Sequence, residues 1–450
     1  MKKFSAILLV VLMLLNLAAC GGGGASQNDA NTATESTDGG EAENTGGEDD
    51  GGGGGDGKAT ITVVSSFGGE DGNRQNFLDY IEKYEQETGN SVKESGATAD
   101  EAWKAQVQTD FEAGSEPDVL FYFNGTNSNA FIEQNKVVSI DEIRAEYPDY
   151  GTNMKDELLG ASPLDGKNYS IPFVGFWEAM FVSNNILDEV GVDMPGSDYT
   201  WDQFLLDCET IKEAGYTPIA VSIHQTPHYW FEFAVMNNGG PETHLEIPTS
   251  EDHPNFQVWV DALNDIKDLY ERGYFPANTL TASDEETFQM MADGEAAFAV
   301  DGSWKIGWFD DNTNPDEFSA VSPPAKNTRK TTDMVGGISM GYYITRRAWD
   351  DPAKRDACVQ FVEIMTSDEA TSAFANSGNI TALKNGTSGS ANESGLMASV
   401  IAMNAAATSI TGAAQDNITD EQRDNLFGNI KNVATGTMTA EEAVLEMINK

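Results

Sequence analysis

Thr60–Phe67 reads TITVVSSF, Pro117–Asn124 reads PDVLFYFN, and two helical periods lie between them. Ile61-Thr62-Val63-Val64 is rich in β-branched residues and is expected to form a strand. Phe77, Ile81 and Tyr84 then recur at helical spacing and stop at Gly89; Trp103, Val107 and Phe111 do the same and stop at Gly114. Pro117-Asp118 opens a second apolar run, Val119–Phe123. Strand, helix, helix, strand predicts α/β layers with largely parallel pairing, because the connecting helices carry the chain back to lay the next strand alongside.

Farther along, Thr200 caps a helix over Trp201–Ala214, and Pro218–Ile223 is expected to be a buried strand. Phe256, Val260, Leu263, Ile266 and Tyr270 line one helical face between His253 and Gly273. The C-terminal third is read as mostly helical, over Pro352–Thr366, Ser367–Ala375, Glu393–Ala407, Thr419–Ala434 and Thr439–Asn449, with strands at Ala296–Val300 and Met340–Thr345. Thr439-Ala440-Glu441-Glu442 forms a capping box. The 393 residues from Lys58 onward should divide into at least two lobes, since one core rarely grows past about 250–300 residues.

The 450 residues carry 26 Lys and Arg against 73 Asp and Glu, a net charge of −47. That balance excludes a nucleic-acid binder, whose affinity rests on basic side chains neutralising phosphates. Three cysteines exclude a disulfide-built scaffold. Cys208 and Cys358 sit in helical stretches and read as small buried hydrophobes, with a disulfide between them left open.

Lys2 and Lys3 precede an apolar run from Ala6 to Leu15, the order of a secretory signal peptide over residues 1–19. Leu17-Ala18-Ala19-Cys20 resembles the lipobox of bacterial lipoproteins, which implies lipidation at Cys20 and a membrane anchor. Gly21–Gly57 has no aromatic or branched aliphatic residue and is expected to be a disordered tether, spanning about 33 Å for its 37 residues. Beyond it, 64 acidic and 24 basic residues leave the body at −40. This charge reads first as a solvated surface, with attraction of a cationic solute to a carboxylate-lined cleft as the alternative.

Several catalytic patterns fail on inspection. Gly337-Ile338-Ser339-Met340-Gly341 matches a nucleophile elbow, but a strand is expected after it and all four histidines precede Ser339. His224 and His228 have zinc spacing with Pro227 between them. Asp310, Asn312, Asn314 and Asp316 alternate like a calcium loop, but Pro315 occupies the turn glycine's place. Gly160–Lys167 has the wrong spacing for a phosphate loop, and no cofactor or metal is expected.

Four passages together resemble the bacterial extracellular solute-binding lipoproteins of carbohydrate ABC importers. They are Pro117-Asp118-Val119 after Ala113-Gly114; Phe181-Val182-Ser183-Asn184-Asn185 with Gly191, Pro195 and Thr200-Trp201; Gly294–Phe298 with Asp301-Gly302-Ser303-Trp304; and Pro352-Ala353 into Phe361-Val362 and Thr366-Ser367. Val182-Ser183 departs from the family's usual Tyr-Asn, and Ser66-Phe67 stands where members often place tryptophan.

The resemblance implies an α/β, two-lobed periplasmic-binding-protein-like fold (type II) with a helix-rich C-terminal part. It implies one lobe from residues 58–172 plus 338–383 and another from 173–337 plus 384–450. It also implies a monomeric, non-catalytic receptor outside the membrane that passes a small carbohydrate to ABC permease subunits. Ligands of such sheets sit beyond strand C-termini, and sugars need flat aromatic faces and polar partners. The candidates are therefore Phe67, Glu70 and Asn73; Tyr122, Phe123 and Asn124; Phe176 and Trp177; His228, Tyr229 and Trp230; and foremost Trp304, which relatives use as a sugar platform. Trp103, Trp201 and Trp259 are expected in the core. A receptor of the same architecture for a cation such as a polyamine, and a polysaccharide-active enzyme, are the competing readings.

Overall fold

The structure, a computed structural model, describes residues 58–69, 71–99, 101–375, 379–385 and 394–450. Cys20, the leader and tether, and Glu70 lie outside the described residues. The strands in chain order are β1 (Thr60–Ser65), β2 (Ser91–Gly96), β3 (Val119–Phe123), β4 (Gly160–Ala161), β5 (Asn168–Ser170) and β6 (Phe176–Ser183). They continue with β7 (Thr217–Ile219), β8 (Ala296–Gly302), β9 (Phe318–Val321), β10 (Asp333–Gly337), β11 (Met340–Ile344) and β12 (Ser409–Thr411).

One sheet has the order β11-β3-β1-β2, with β1 parallel to β2 and β3, and β11 antiparallel to β3. The other has the order β12-β10-β6-β8-β7, with β9 also paired to β6; β4 and β5 form a small hairpin. Each large sheet has its own principal core. Ile61, Val63, Phe77, Tyr84, Phe121, Tyr342 and Phe361 belong to the first, and Phe204, Phe231, Trp259, Phe298 and Leu426 to the second.

Asp118 fastens the first sheet from within. Its buried carboxylate accepts from the Thr62 amide at 2.8 Å and from Thr62 Oγ1 at 3.0 Å, and Lys354 Nζ stands 2.8 Å away on the helix Pro352–Met365. The charge is thus satisfied by two hydrogen bonds and a cation, which makes its burial tolerable.

The chain passes between the sheets at Phe173–Phe176 and again at Gly337–Met340. A Cβ on Gly175 would come within 2.1 Å of the Gly337 carbonyl oxygen, so the two passages cross in contact; Gly337 itself has φ 152°, which other residues avoid. Bridges Val174↔Thr381 and Met154↔Leu383 lay the segment 381–383 beside the first passage.

The expected helices and most expected strands form, with boundaries shifted by a residue or two, but several strands, β9, β10 and β12 among them, were not expected, and two further details differ. β2 was not expected: its sequence SVKESG is polar, and it survives as an edge strand because the β1 backbone pairs with it along its length. Conversely, only Thr217–Ile219 of the anticipated strand Pro218–Ile223 is β; Val221 and Ile223 are buried in a turn that Thr279 and Ser222 side chains satisfy. Cys208 and Cys358 are both free and buried, in different cores. Trp103, Trp201 and Trp259 are buried, as are Trp308 and Trp349.

Candidate functional site

β8 ends in Asp301-Gly302 and turns through Ser303 into the helix Lys305–Asn312, with Trp304 at its N-cap. A Cβ on Gly302 would lie 2.1–2.3 Å from the six-membered ring of Trp304, so the missing side chain is what lets the indole fold back over the strand end. The Trp304 side chain hydrogen-bonds the buried Asp301 carboxylate, which also accepts from the Gly302 amide at 2.7 Å. Burial pushes the Asp301 carboxyl up to about 7 against the pull of Lys305, whose Nζ is 3.7 Å away.

Around Trp304 the rings converge. Phe176 opens β6 with its ring centroid 6.3 Å from Trp304, and the Tyr229 ring is 5.8 Å from Trp304. Tyr229 and His228 occupy the first turn of the helix His228–Gly239, 4.1 Å apart; His228 stacks on Phe427 at 5.4 Å. Phe176, His228, Tyr229 and Trp304 are all half-buried, as ring faces able to receive a solute must be.

Other candidates are placed elsewhere. Trp177 is 1 % exposed and points to the opposite face of β6 with Ala179 and Phe181, because neighbours along a strand alternate. Trp230 is 3 % exposed and stacks on Phe204 at 5.5 Å. Tyr122 is wholly buried against Trp103, and Phe67 is stacked on Phe121 at 4.8 Å. In this arrangement these four side chains are packed into the cores and stand apart from the ring cluster around Trp304. Asn73 is buried too: its amide donates to Asp71 at 2.8 Å and its Oδ1 accepts from Asn76 at 3.2 Å.

Phe123 and Asn124 are half-buried at the end of β3. Lys104 lies 4.3 Å above the Phe123 ring, and Asn124 Oδ1 accepts from Tyr343 at 2.7 Å and from Ser170.

Immediately after Asn124 the first lobe touches the second. Thr126 Oγ1 donates to the carbonyl oxygens of Asp416 at 2.9 Å and Ile418 at 3.1 Å; the buried Arg423 guanidinium donates to Asn127 Oδ1 at 3.0 Å, and Gln108 bonds Asp420. On the Trp304 side, a Cβ on Gly307 would meet Gly72 Cα at 2.3 Å. The lobes are therefore drawn together at both places, and the ring cluster belongs to the second lobe beside these contacts. None of Thr126, Asn127, Asp416 or Arg423 carries a motif; sequence gave no means to find them.

Among the described residues no group of three or more His, Cys, Asp or Glu could hold a metal ion, and His224 and His228 form no such site. Ser339 precedes β11 rather than a helix, so Gly337–Gly341 is not a nucleophile elbow. An open concavity of about 540 Å³ lined by His224, Gln225, Thr281, Ser283, Glu285, Glu286 and Gln289 has no Phe, Tyr or Trp among its lining residues.

Two lobes, crossing passages between them and a ring-lined face at their contact define a two-lobed solute-binding fold. The chain matches the family described as bacterial extracellular solute-binding protein over residues 71–372, and it belongs to that family. Among solved structures it is similar to a chitin oligosaccharide binding protein, at 20 % identity and TM-score 0.76, covering 87 % of this chain and 98 % of that one. It is also similar to an ABC substrate-binding protein from Listeria monocytogenes in complex with cycloalternan, at 17 % identity and TM-score 0.69, covering 87 % and 97 %. The GacH receptor of Streptomyces glaucescens, solved unliganded and with acarbose, matches at 18 % identity and TM-score 0.68, again covering 87 % and 97 %. No curated protein sequence matches it significantly.

Proposed function

We propose that this protein is an extracytoplasmic receptor, anchored through a lipid on Cys20, that captures a sugar or oligosaccharide between its lobes and delivers it unchanged to an ABC import permease. The observation that carries the reading is the half-buried cluster of Trp304, Phe176, Tyr229 and His228 at the lobe contact. Flat faces of this kind hold the C–H surfaces of a pyranose, while polar groups at the rim select its hydroxyls. Family membership and three structural neighbours whose named ligands are chitin oligosaccharide, cycloalternan and acarbose support it. The lobes are taken as residues 58–172 with 338–383 and residues 173–337 with 384–450, and one copy suffices for the task.

A thermal-shift and calorimetric screen of mono-, di- and oligosaccharides, amino acids and polyamines tests this reading. A saccharide should bind and be recovered chemically intact, and Cys20→Ala should free the protein from the membrane fraction. A polyamine as the sole binder, or turnover of a polysaccharide, would refute it.

A further inference from the structure

Along β6, Phe176, Glu178, Met180 and Val182 share one face, and Glu178 is the charged member. Glu178 is paired across the sheet with Gly302, the residue whose side-chain space the Trp304 ring fills. Directly paired residues project to the same side. The Glu178 carboxyl therefore lies beside the Trp304 ring, two residues from Phe176 on the same face. It is 1 % exposed, and its Oε2 has no hydrogen-bond partner among the described residues.

The charged groups that face it are acids: Glu232 on the helix His228–Gly239, Asp301 at the end of β8, and Asp416 in the turn that touches the first lobe. The nearby cations are engaged with those neighbours. Lys305 Nζ stands 3.0 Å from Asp284 and 3.7 Å from Asp301, and the buried imidazole of His244 lies 2.8 Å from Glu232 without bearing on Glu178. Glu232 also accepts from the Ala414 and Gln415 amides at 2.8 and 2.9 Å. Among the described residues Glu178 thus has three acidic neighbours and makes no ion pair. Burial first, and those neighbours second, hold its proton well above the ordinary carboxyl range.

A neutral sugar hydroxyl would give this carboxyl a donor but no charge. An ammonium gives both, and a charge-assisted hydrogen bond in a low-dielectric site is the stronger one. We propose that the solute is an oligosaccharide containing a free, protonated amino sugar, and that Glu178 pairs with its ammonium beside the Trp304 ring. This rests on the saccharide reading above and narrows it: an acetylated amine, being neutral, would not complete the site.

Calorimetry on the full-length chain, with β-1,4-linked glucosamine, N-acetylglucosamine and glucose oligomers of equal length, tests it. The glucosamine oligomer should bind about 30-fold or more tightly than either neutral oligomer, as expected for one buried charge pair. Glu178→Gln should bring that preference below about threefold. At a pH of about 5, where the free amine already carries its proton, the ammonium forces Glu178 to ionise, so binding to the wild-type chain should release a proton to the buffer, read as a heat that depends on the buffer's ionisation enthalpy. That readout needs no variant and persists if Glu178→Gln fails to fold. Neutral oligomers binding as tightly, or no proton release, would overturn the amino-sugar assignment while leaving the saccharide reading intact. No binding of any of the oligomers would overturn the assignment, and if the wider saccharide screen also failed, that reading too.

Discussion

Trp304 and Trp177 show how a single residue's role turns on strand parity. Both lie near expected strand ends and both are candidates from sequence, Trp304 the foremost. In the folded chain Trp304 lies half-exposed over Gly302, whereas Trp177 is sealed on the far face of β6. Trp304→Ala should therefore abolish measurable saccharide binding while shifting the melting temperature by only a few degrees. Trp177→Ala should cost about 3–5 kcal/mol of stability through the cavity it leaves, measured by denaturant unfolding.

Asp301 gives a prediction with a definite sign. Its carboxyl titrates near 3.8 in an unfolded chain and at about 7 in the fold, so between those values the native state holds more protons than the unfolded one. Its contribution to stability is full below pH about 4, is lost as pH rises through about 7, and changes no further above. Glu142, pulled down by Arg346, acts in the opposite sense at lower pH. The difference between wild type and Asp301→Asn isolates the first effect: the variant should gain in melting temperature, relative to wild type, as pH goes from 4 to 8. A constant difference across that range would contradict the assignment.

Among the elements, those with strong hydrophobic periods were legible from the chain alone. The helix Phe256–Glu271 buries Phe256, Val260, Leu263 and Ile266 as its spacing requires, and Thr439 forms its capping box with Glu442. What escaped was whatever depends on a partner far along the chain. β2 is polar and takes its conformation from β1, and Pro218–Ile223 loses most of its strand to side-chain hydrogen bonds from Thr279. The site divides in the same way. The post-strand rule named Trp304, Phe176, Tyr229 and His228, whose rings the fold brings together, but it could not tell that Tyr122, Phe67 and Trp230 pack into the cores, and it did not single out Glu178. The turn after β3 lies in the second category, and it also sets a prediction. Thr126→Val keeps the side-chain shape and removes the hydroxyl that donates to the Asp416 and Ile418 carbonyls. Saccharide affinity should fall about fivefold, corresponding to about 1 kcal/mol for the lost bonds, and the change should appear in the dissociation rate measured by stopped flow.

At the scale of the whole molecule, polar contacts among the described residues draw the lobes together, including Thr126 to Asp416 and Ile418, Asn127 to Arg423, Gln108 to Asp420, and the bare backbone approach of Gly72 to Gly307. Hydrogen bonds exchanged with water contribute only about 1 kcal/mol each, so polar contacts of this kind can be broken and remade as two lobes open and close. The crossing of the two passages at Gly175 and Gly337, where only backbone fits, offers the place to pivot. A solute held on the Trp304 rings while the Thr126 side closes over it would add its own contacts to the closed form alone, and that differential is what moves the equilibrium. Small-angle scattering should therefore show a smaller radius of gyration for the wild-type chain at saturating saccharide than without it. Thr126→Val should need more saccharide to reach the same contraction. A radius that does not respond to saturating saccharide would mean that the lobes bind without moving, and the weakening by Thr126→Val would then need a different cause.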